Sequence, residues 1–167
     1  CQLLLQKGSC ELLGVELVTG KPVMIADDGG LKISFFTWHG CVIDIDCEHS
    51  EKIVYIADET NLSVAIVNTH AQLEALRDEA AASGGEGPRV LIAGPVESGK
   101  TCLAKVLTAY ATKLGRTPIA VDLDPADNGL SVPGSLAAVP MTREAVTPQS
   151  YATGGLPAGT ASPMVMW

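Results

Sequence analysis

Charge is sparse in this 167-residue chain: 18% of its residues are Asp, Glu, Lys or Arg, below the usual quarter of a globular sequence. Basic residues are the scarcer kind, 11 against 19 acidic, which leaves a formal charge of −8. That balance speaks against a basic nucleic-acid clamp. Aromatic residues make up only 4%, yet 47% of the chain is apolar, too much for a disordered sequence. No segment approaches the roughly 18 uninterrupted apolar residues of a spanning helix, so no membrane partner is expected. The start, Cys1 to Lys7, has no basic stretch ahead of its apolar one and does not read as a signal peptide. The five cysteines (Cys1, Cys10, Cys41, Cys47 and Cys102) contain no Cys-x-x-Cys pair, which argues against a zinc site or a disulfide framework. They are expected to be reduced, buried thiols of an intracellular protein.

The charge is unevenly placed. Residues 1–90 hold six basic and 14 acidic side chains, whereas residues 91–167 hold five of each. The second half therefore keeps the freedom to meet an anion.

The first 67 residues read as strands. Cys10 to Leu17 is strand-like, Asp27-Asp28-Gly29-Gly30 has hairpin-turn chemistry, and Leu31 to Trp38 is rich in β-branched and aromatic residues. His39-Gly40 turns the chain into Cys41 to Cys47, where Val42, Asp44 and Asp46 alternate with Cys41, Ile43, Ile45 and Cys47. That is period two, with one face buried and one wet. Ile53 to Ala57 and Leu62 to Val67 continue the series, predicting a small antiparallel sandwich or barrel.

At Thr69 the period changes. Thr69-His70-Ala71-Gln72 matches a capping box, and Leu73, Leu76 and a run of alanines follow at helical spacing. The helix should fail at Ser83-Gly84-Gly85-Glu86-Gly87-Pro88, which places a linker at 83–88 between a first domain at 1–82 and a second at 89–167.

Arg89-Val90-Leu91-Ile92-Ala93 has the apolar character of a buried parallel strand. It runs directly into Gly94-Pro95-Val96-Glu97-Ser98-Gly99-Lys100-Thr101, a complete G-x-x-x-x-G-K-[ST]. The following helix should present Leu103, Val106, Leu107, Tyr110 and Leu114 on one face and stop at Gly115. Strand, loop and helix in that order are what a phosphate cradle requires. Gly94 and Gly99 let the backbone wrap closely, and the loop through Pro95, Val96, Glu97 and Ser98 turns its amides on the phosphate oxygens. Lys100, Thr101 and Cys102 then add the unpaired amides and positive dipole end of the helix. The Lys100 ammonium suits the β- and γ-phosphates, and the Thr101 hydroxyl suits a magnesium shell. The Glu97 carboxylate reads as a solvated loop group without a role.

Thr117 to Asp124 is the next strand, expected to lie parallel to the first with its C-terminal end at the crevice. Asp124 stands at that end, placed to hold magnesium through water or to take a proton from an incoming hydroxyl. Asp122 lies two residues deeper and reads as structural. Asp127 and Asn128 belong in a turn for local reasons.

Phe36-Thr37-Trp38-His39-Gly40-Cys41, Asn68-Thr69-His70, Gly87-Pro88-Arg89-Val90, Gly94 to Thr101, and Leu123-Asp124 through Val132-Pro133-Gly134 together give the chain a specific likeness. It resembles the eukaryotic polynucleotide 5′-hydroxyl-kinase family, in the form found in the pre-mRNA cleavage and polyadenylation machinery and with the tRNA-splicing endonuclease. The resemblance implies an N-terminal antiparallel β-sandwich followed by the start of an α/β P-loop kinase-like domain. It also implies ATP with Mg2+, an RNA partner carrying a 5′-hydroxyl, other subunits of the cleavage complex, and a nuclear location. The family's P-loop carries over onto Gly94, Gly99, Lys100 and Thr101, and its general base onto Asp124. That base normally opens Asp-x-x-Gln, whereas this chain has Asp124-Pro125-Ala126-Asp127, which puts turnover in question. Trp38 and His39 have two readings: near an adenine, or a core Trp and a turn His.

The chain supplies two strands after the linker where a doubly wound sheet needs about five, and Gly-, Pro-, Thr- and Ser-rich sequence at about 142–163 reads as a flexible insertion. Both imply a fragment of a longer protein. Four functions stay open: an ATP-dependent 5′-hydroxyl RNA kinase, an ATP-holding scaffold without turnover, a kinase of ribosomal RNA processing, and a G-protein-like GTPase. The last requires Asp-x-x-Gly, and Ala126 stands three residues before Gly129.

Overall fold

The computed structural model describes residues 1–26, 32–47, 54–57, 61–126, 128–153 and 164–166. Two antiparallel three-stranded sheets form the N-terminal part. Strand β1 (Gln2–Gly8) lies between β4 (Val23–Met24) and β6 (Cys41–Asp46). Leu3 faces both Val23 and Ile45, and Leu5 faces Ile43, so apolar residues of alternate positions meet on the inner side. The period-two reading of residues 41–47 holds, with Val42, Asp44 and Asp46 exposed. Strand β2 (Glu11–Leu12) pairs with β3 (Val15–Glu16) and β5 (Phe35–Phe36) in the second sheet.

Several local expectations change. The run from Cys10 to Leu17 is a hairpin, because Leu13 and Gly14 both adopt positive φ (48° and 85°) and reverse the chain between β2 and β3. Positive φ at both central residues matches the right-handed strand twist. The turn expected at Asp27 to Gly30 lies outside the described residues. Residues 54–57 form no strand, and Val54, Tyr55 and Ile56 are exposed.

Two cysteines are also bridged rather than free. The β1–β6 register pairs Gln2 with Asp46 and so sets Cys1 beside Cys47, with Cα atoms 4.1 Å apart and a disulfide between them. Cys102 is exposed rather than buried. A pairing across 46 residues is invisible in spacing alone.

Leu62 to Val67 is helical, not extended. It opens α1 (Leu62–Ser83), whose N-cap is Asn61, and Thr69 sits inside the helix with its hydroxyl donating to the Ala65 carbonyl at 2.8 Å. The β-branched residues here cost a helix only a few tenths of a kcal/mol each, whereas a strand would need a ladder partner for every amide. The helix ends as expected, with Gly84 in the left-handed conformation.

Residues 89–93 form no strand, and Val90 and Leu91 are exposed. A parallel strand is stable when both faces are covered, and no described strand pairs with this run. The helix after the loop, α2 (Lys100–Lys113), buries Leu107, Ala109, Ala111 and Thr112, while Leu114 is exposed. Gly115 has φ 80°, a helix stop where one was expected. Strand β7 (Ile119–Asp122) takes an antiparallel partner, β8 (Leu136–Pro140), which in turn pairs with β9 (Met164–Met166). The expected parallel pairing is absent because residues 89–93 form no strand, and β7 is an edge strand whose described partner is β8. Within the segment read as flexible, α3 (Pro148–Thr153) is ordered by burial of Ser150 and Tyr151.

One apolar cluster gathers Leu3, Leu5, Leu12 and Ile25 from the N-terminal sheets with Ala109, Val139, Met141 and Tyr151. Polar contacts fix the same junction. The Tyr110 hydroxyl donates to Glu11 Oε1 at 2.7 Å, Lys113 pairs with Glu16, and Lys105 Nζ donates to the Tyr151 carbonyl at 2.9 Å. Burial pushes the Glu11 carboxyl up, and the Tyr110 hydrogen bond partly offsets it.

Helix α1 is tied to the turn that follows α2 by Glu74, which pairs with Arg77 of its own helix and with Arg116 at 2.8 Å, and by the Arg116–Asp78 pair. Burial raises the Glu74 carboxyl, but the two guanidiniums outweigh it and hold it below the ordinary carboxylate range. Its stabilising contribution is therefore present above the unfolded-state value of about 4.3 and lost as pH falls through the folded one. Glu74→Gln should cost about 1 kcal/mol at neutral pH. Urea unfolding should show that cost shrinking as pH falls below the unfolded-state value; a pH-independent deficit would assign it to packing instead.

Candidate nucleotide-binding site

The loop from Gly94 to Gly99 is shaped by steric limits at its two glycines. A Cβ on Gly94 would lie 2.8 Å from Ser98 Oγ, so that position admits no side chain without moving Ser98. Glu97 (φ 61°) and Gly99 (φ 81°) both turn left-handed, which brings the chain back toward its own start. The Pro95 carbonyl then accepts the Ser98 amide at 3.4 Å and Lys100 Nζ at 2.7 Å. Lys100 is thus held across the loop by one hydrogen bond, which an incoming anionic oxygen is able to replace.

Helix α2 begins here without a side-chain cap. Its first helical bond runs from the Leu103 amide to the Gly99 carbonyl at 2.9 Å. The amides of Lys100, Thr101 and Cys102 precede that bond and lack intrahelical acceptors. Together with the dipole they favour an anion. Thr101 and Cys102 are exposed at this end, as are Val96 and the Glu97 side chain. The residues present therefore fit a phosphate chain: a tight turn with Gly94 against the Ser98 hydroxyl, free amides and one ammonium. Thr101 is the hydroxyl available for a divalent cation.

Asp124 is placed by a separate device at the C-terminal end of β7. Its Oδ1 accepts the Ala126 amide at 3.0 Å, and its own amide donates to Asp122 Oδ1 at 3.0 Å. Asp122 Oδ2 accepts the Gly129 amide at 3.1 Å. Asp122 therefore clamps the turn that carries Asp124. Asn128 serves the same loop, accepting the Leu130 and Ser131 amides at 2.9 Å each. Asp127 lies outside the described residues. No hydrogen bond or ion pair among the described residues joins Asp124 to the Gly94–Thr101 loop.

Trp38 is neither core nor isolated. It is exposed, with its ring edge-on to Phe36 at 4.8 Å, and His39 beside it is exposed too. The Pro95 carbonyl is the participant that sequence reasoning missed. It sits at a variable motif position, and a backbone acceptor leaves no mark in residue type.

A β-sheet domain leading into this loop defines a class. Residues 1–80 match the family model for the N-terminal beta-sandwich domain of polyadenylation factor, and residues 94–156 match that for the P-loop of mRNA cleavage and polyadenylation factor CLP1. The fold is accordingly an N-terminal antiparallel β-sandwich with the P-loop part of an α/β domain behind it. A P-loop of this kind implies nucleotide binding. The chain belongs to the CLP1 family of mRNA cleavage and polyadenylation factors.

Among its relatives, the mRNA cleavage and polyadenylation factor clp1 of Aspergillus niger is 47% identical over 131 residues, covering 78% of this chain and 25% of the relative. The Aspergillus clavatus protein of the same name is 42% identical over 158 residues, covering 80% and 28%. The Coccidioides immitis protein is 41% identical over 150 residues, covering 78% and 26%. The chain thus spans about a quarter of the length of these curated relatives. Among solved structures, a wild-type Clp1p–Pcf11p complex superposes with TM-score 0.66 at 24% identity, over 99% of this chain and 38% of that one. A second Clp1p–Pcf11p structure, described for its extended interface and for ATP loss in a point mutant, gives TM-score 0.65 at 24% identity, over 99% and 39%. At that identity the likeness shows the fold.

Proposed function

We propose that this chain supplies the ATP-holding part of an mRNA cleavage and polyadenylation factor of the polynucleotide 5′-hydroxyl-kinase type. The observation that carries the reading is the loop itself: Gly94 packed against the Ser98 hydroxyl, Lys100 tethered to Pro95, and uncapped amides at Lys100, Thr101 and Cys102. On this reading the domains divide at residues 83–88, the protein acts in the nucleus with other subunits of the cleavage complex, and its RNA partner carries a 5′-hydroxyl. A further role in tRNA splicing belongs to the same proposal. Bound ATP with Mg2+ would supply the transferable phosphoryl group. Lys100 neutralises phosphate charge, Thr101 offers its hydroxyl to the cation, and Asp124 holds the cation's water or accepts the proton of the acceptor hydroxyl.

A second reading is a scaffold in which ATP is held without transfer. Two observations favour it: Asp124-Pro125-Ala126-Asp127 lacks the amide that closes the family's motif, and both Clp1p neighbours were solved with Pcf11p. Labelled ATP with a 5′-hydroxyl oligoribonucleotide, assayed on the full-length protein, separates the two. Phosphate transfer supports the kinase; ATP binding with no transfer supports the scaffold. In the kinase case Asp124→Asn should leave ATP affinity within about threefold and cut transfer by at least about 10²-fold. Undiminished transfer by that variant would remove Asp124 as base.

A further inference from the structure

Cys10 and Cys41 play no part in the nucleotide site, yet the fold brings their side chains together. Strand β1 ends at Gly8 opposite Cys41, the first residue of β6. Two residues on, Cys10 turns into the core at the start of the second sheet, and Cys41 packs against the same cluster. The corner is fixed from both sides. Gly8 lies so close to the Gly40–Cys41 backbone that an added Cβ would sit 2.9 Å from the Cys41 Cα. The Thr37 hydroxyl donates to the Ser9 carbonyl at 2.7 Å and accepts the Gly40 amide at 3.0 Å. Both thiols are free, the Cys10 Sγ donates to the Glu11 carbonyl at 3.9 Å, and Cys41 is the near neighbour that acts on the Cys10 thiol.

We infer that Cys10 and Cys41 are an oxidation site, at which hydrogen peroxide converts the neighbouring thiols into an intramolecular disulfide. Cys41 is half-buried and Cys10 only 3% exposed, so peroxide reaches Cys41 first. One peroxide oxygen is transferred to Cys41 Sγ, giving a sulfenic acid, and the other leaves as water. The Cys10 sulfur then attacks the Cys41 sulfur, the S–O bond breaks, and the departing hydroxide leaves as a second water with the Cys10 proton. Two thiols are oxidised and one peroxide is reduced to two waters.

The order of events also sets the pH dependence. Burial, reinforced by the neighbouring Cys41, pushes the Cys10 thiol up to about 12. Little of it is thiolate at neutral pH, so the second step is the slower one and accelerates as pH rises. The existing bridge does not compete. Cys41 and Cys47 stand six residues apart on one extended segment, roughly 20 Å at about 3.3 Å per residue, beyond reach of thiol–disulfide exchange in the folded state. Closing Cys10 to Cys41 would staple the β1–β2 corner to the β5–β6 turn that carries Trp38.

The test is peroxide treatment of the folded full-length protein, followed by alkylation under denaturing conditions and peptide mapping without reduction. A Cys10–Cys41 linked peptide is expected, forming faster at pH 9 than at pH 7 and disappearing with dithiothreitol. In Cys41→Ala, Cys10 should remain alkylatable after the same treatment, which a general reactivity of Cys10 would not give. Cys41 carried on to sulfinic acid with Cys10 still a free thiol would overturn the inference. So would a linkage of either residue to Cys47 or Cys102 in place of the Cys10–Cys41 pair.

Discussion

Lys100→Ala in the full-length protein should weaken ATP binding by roughly ten- to hundred-fold, the worth of one or two charge-assisted hydrogen bonds at about 1.5–3 kcal/mol in total. The ammonium is the single cation within the Gly94–Cys102 stretch, so no neighbour in the loop takes over its charge. Its resting contact is a neutral carbonyl, that of Pro95. Exchanging that acceptor for a phosphate oxygen gains charge pairing without forming a new site. Titration with adenosine gives the internal control, since adenosine carries no phosphate for Lys100 to meet and its affinity should be nearly unchanged. Equal ATP affinity in variant and wild type would sink the phosphate-cradle assignment. An equal loss for ATP and adenosine would instead mean that removing the Pro95 tether has collapsed the loop.

The largest effect on stability is expected at Gly8 rather than at the site. Gly8 has φ 82°, and a Cβ there would meet the Gly40 carbonyl oxygen at 2.2 Å and the Cys41 Cα at 2.9 Å. Both obstacles are backbone, in the first residue of the paired strand and the turn residue before it, so no rotamer change relieves them. Gly8→Ala must pull β1 from β6 at that end, which should cost about 3 kcal/mol or more on top of the left-handed strain. Gly20→Ala is the matched control. Its φ is 74° with nothing within 4 Å of the added Cβ, so it carries the strain alone, about 1 to 2 kcal/mol. Denaturant unfolding should separate the two variants by more than 1 kcal/mol. Equal costs would mean that the β1–β6 end yields freely.

The readings that held rest on local chemistry. The spacing of the loop glycines, Lys100 and Thr101 marks a P-loop, which the family model over residues 94–156 matches, and Gly84 and Gly115 stop their helices because other residues rarely adopt a left-handed turn. The alternation from Cys41 to Asp46 shows a strand wet on one side. The readings that failed concern partners distant in sequence. Leu62 to Val67 has strand-like residues but no ladder to join, so Asn61 starts a helix there. Cys10 to Leu17 looks like one strand until Leu13 and Gly14 reverse it. Cys1 and Cys47 meet because β1 and β6 pair, and β7 runs antiparallel because β8 lies against it.

By itself, then, the sequence determined the loop from Gly94 to Thr101, the helix stops and the strand-rich first half, because each depends on backbone limits and side-chain types within a few residues. Tertiary structure alone decided how those parts combine: the Tyr110–Glu11 contact that seats the P-loop helix on the sheets, the two-handed clamp of Asp122 behind Asp124, and the meeting of Cys10 with Cys41. Each of these needs a partner whose position is set by sheet register and core packing, and no spacing along the chain encodes that distance.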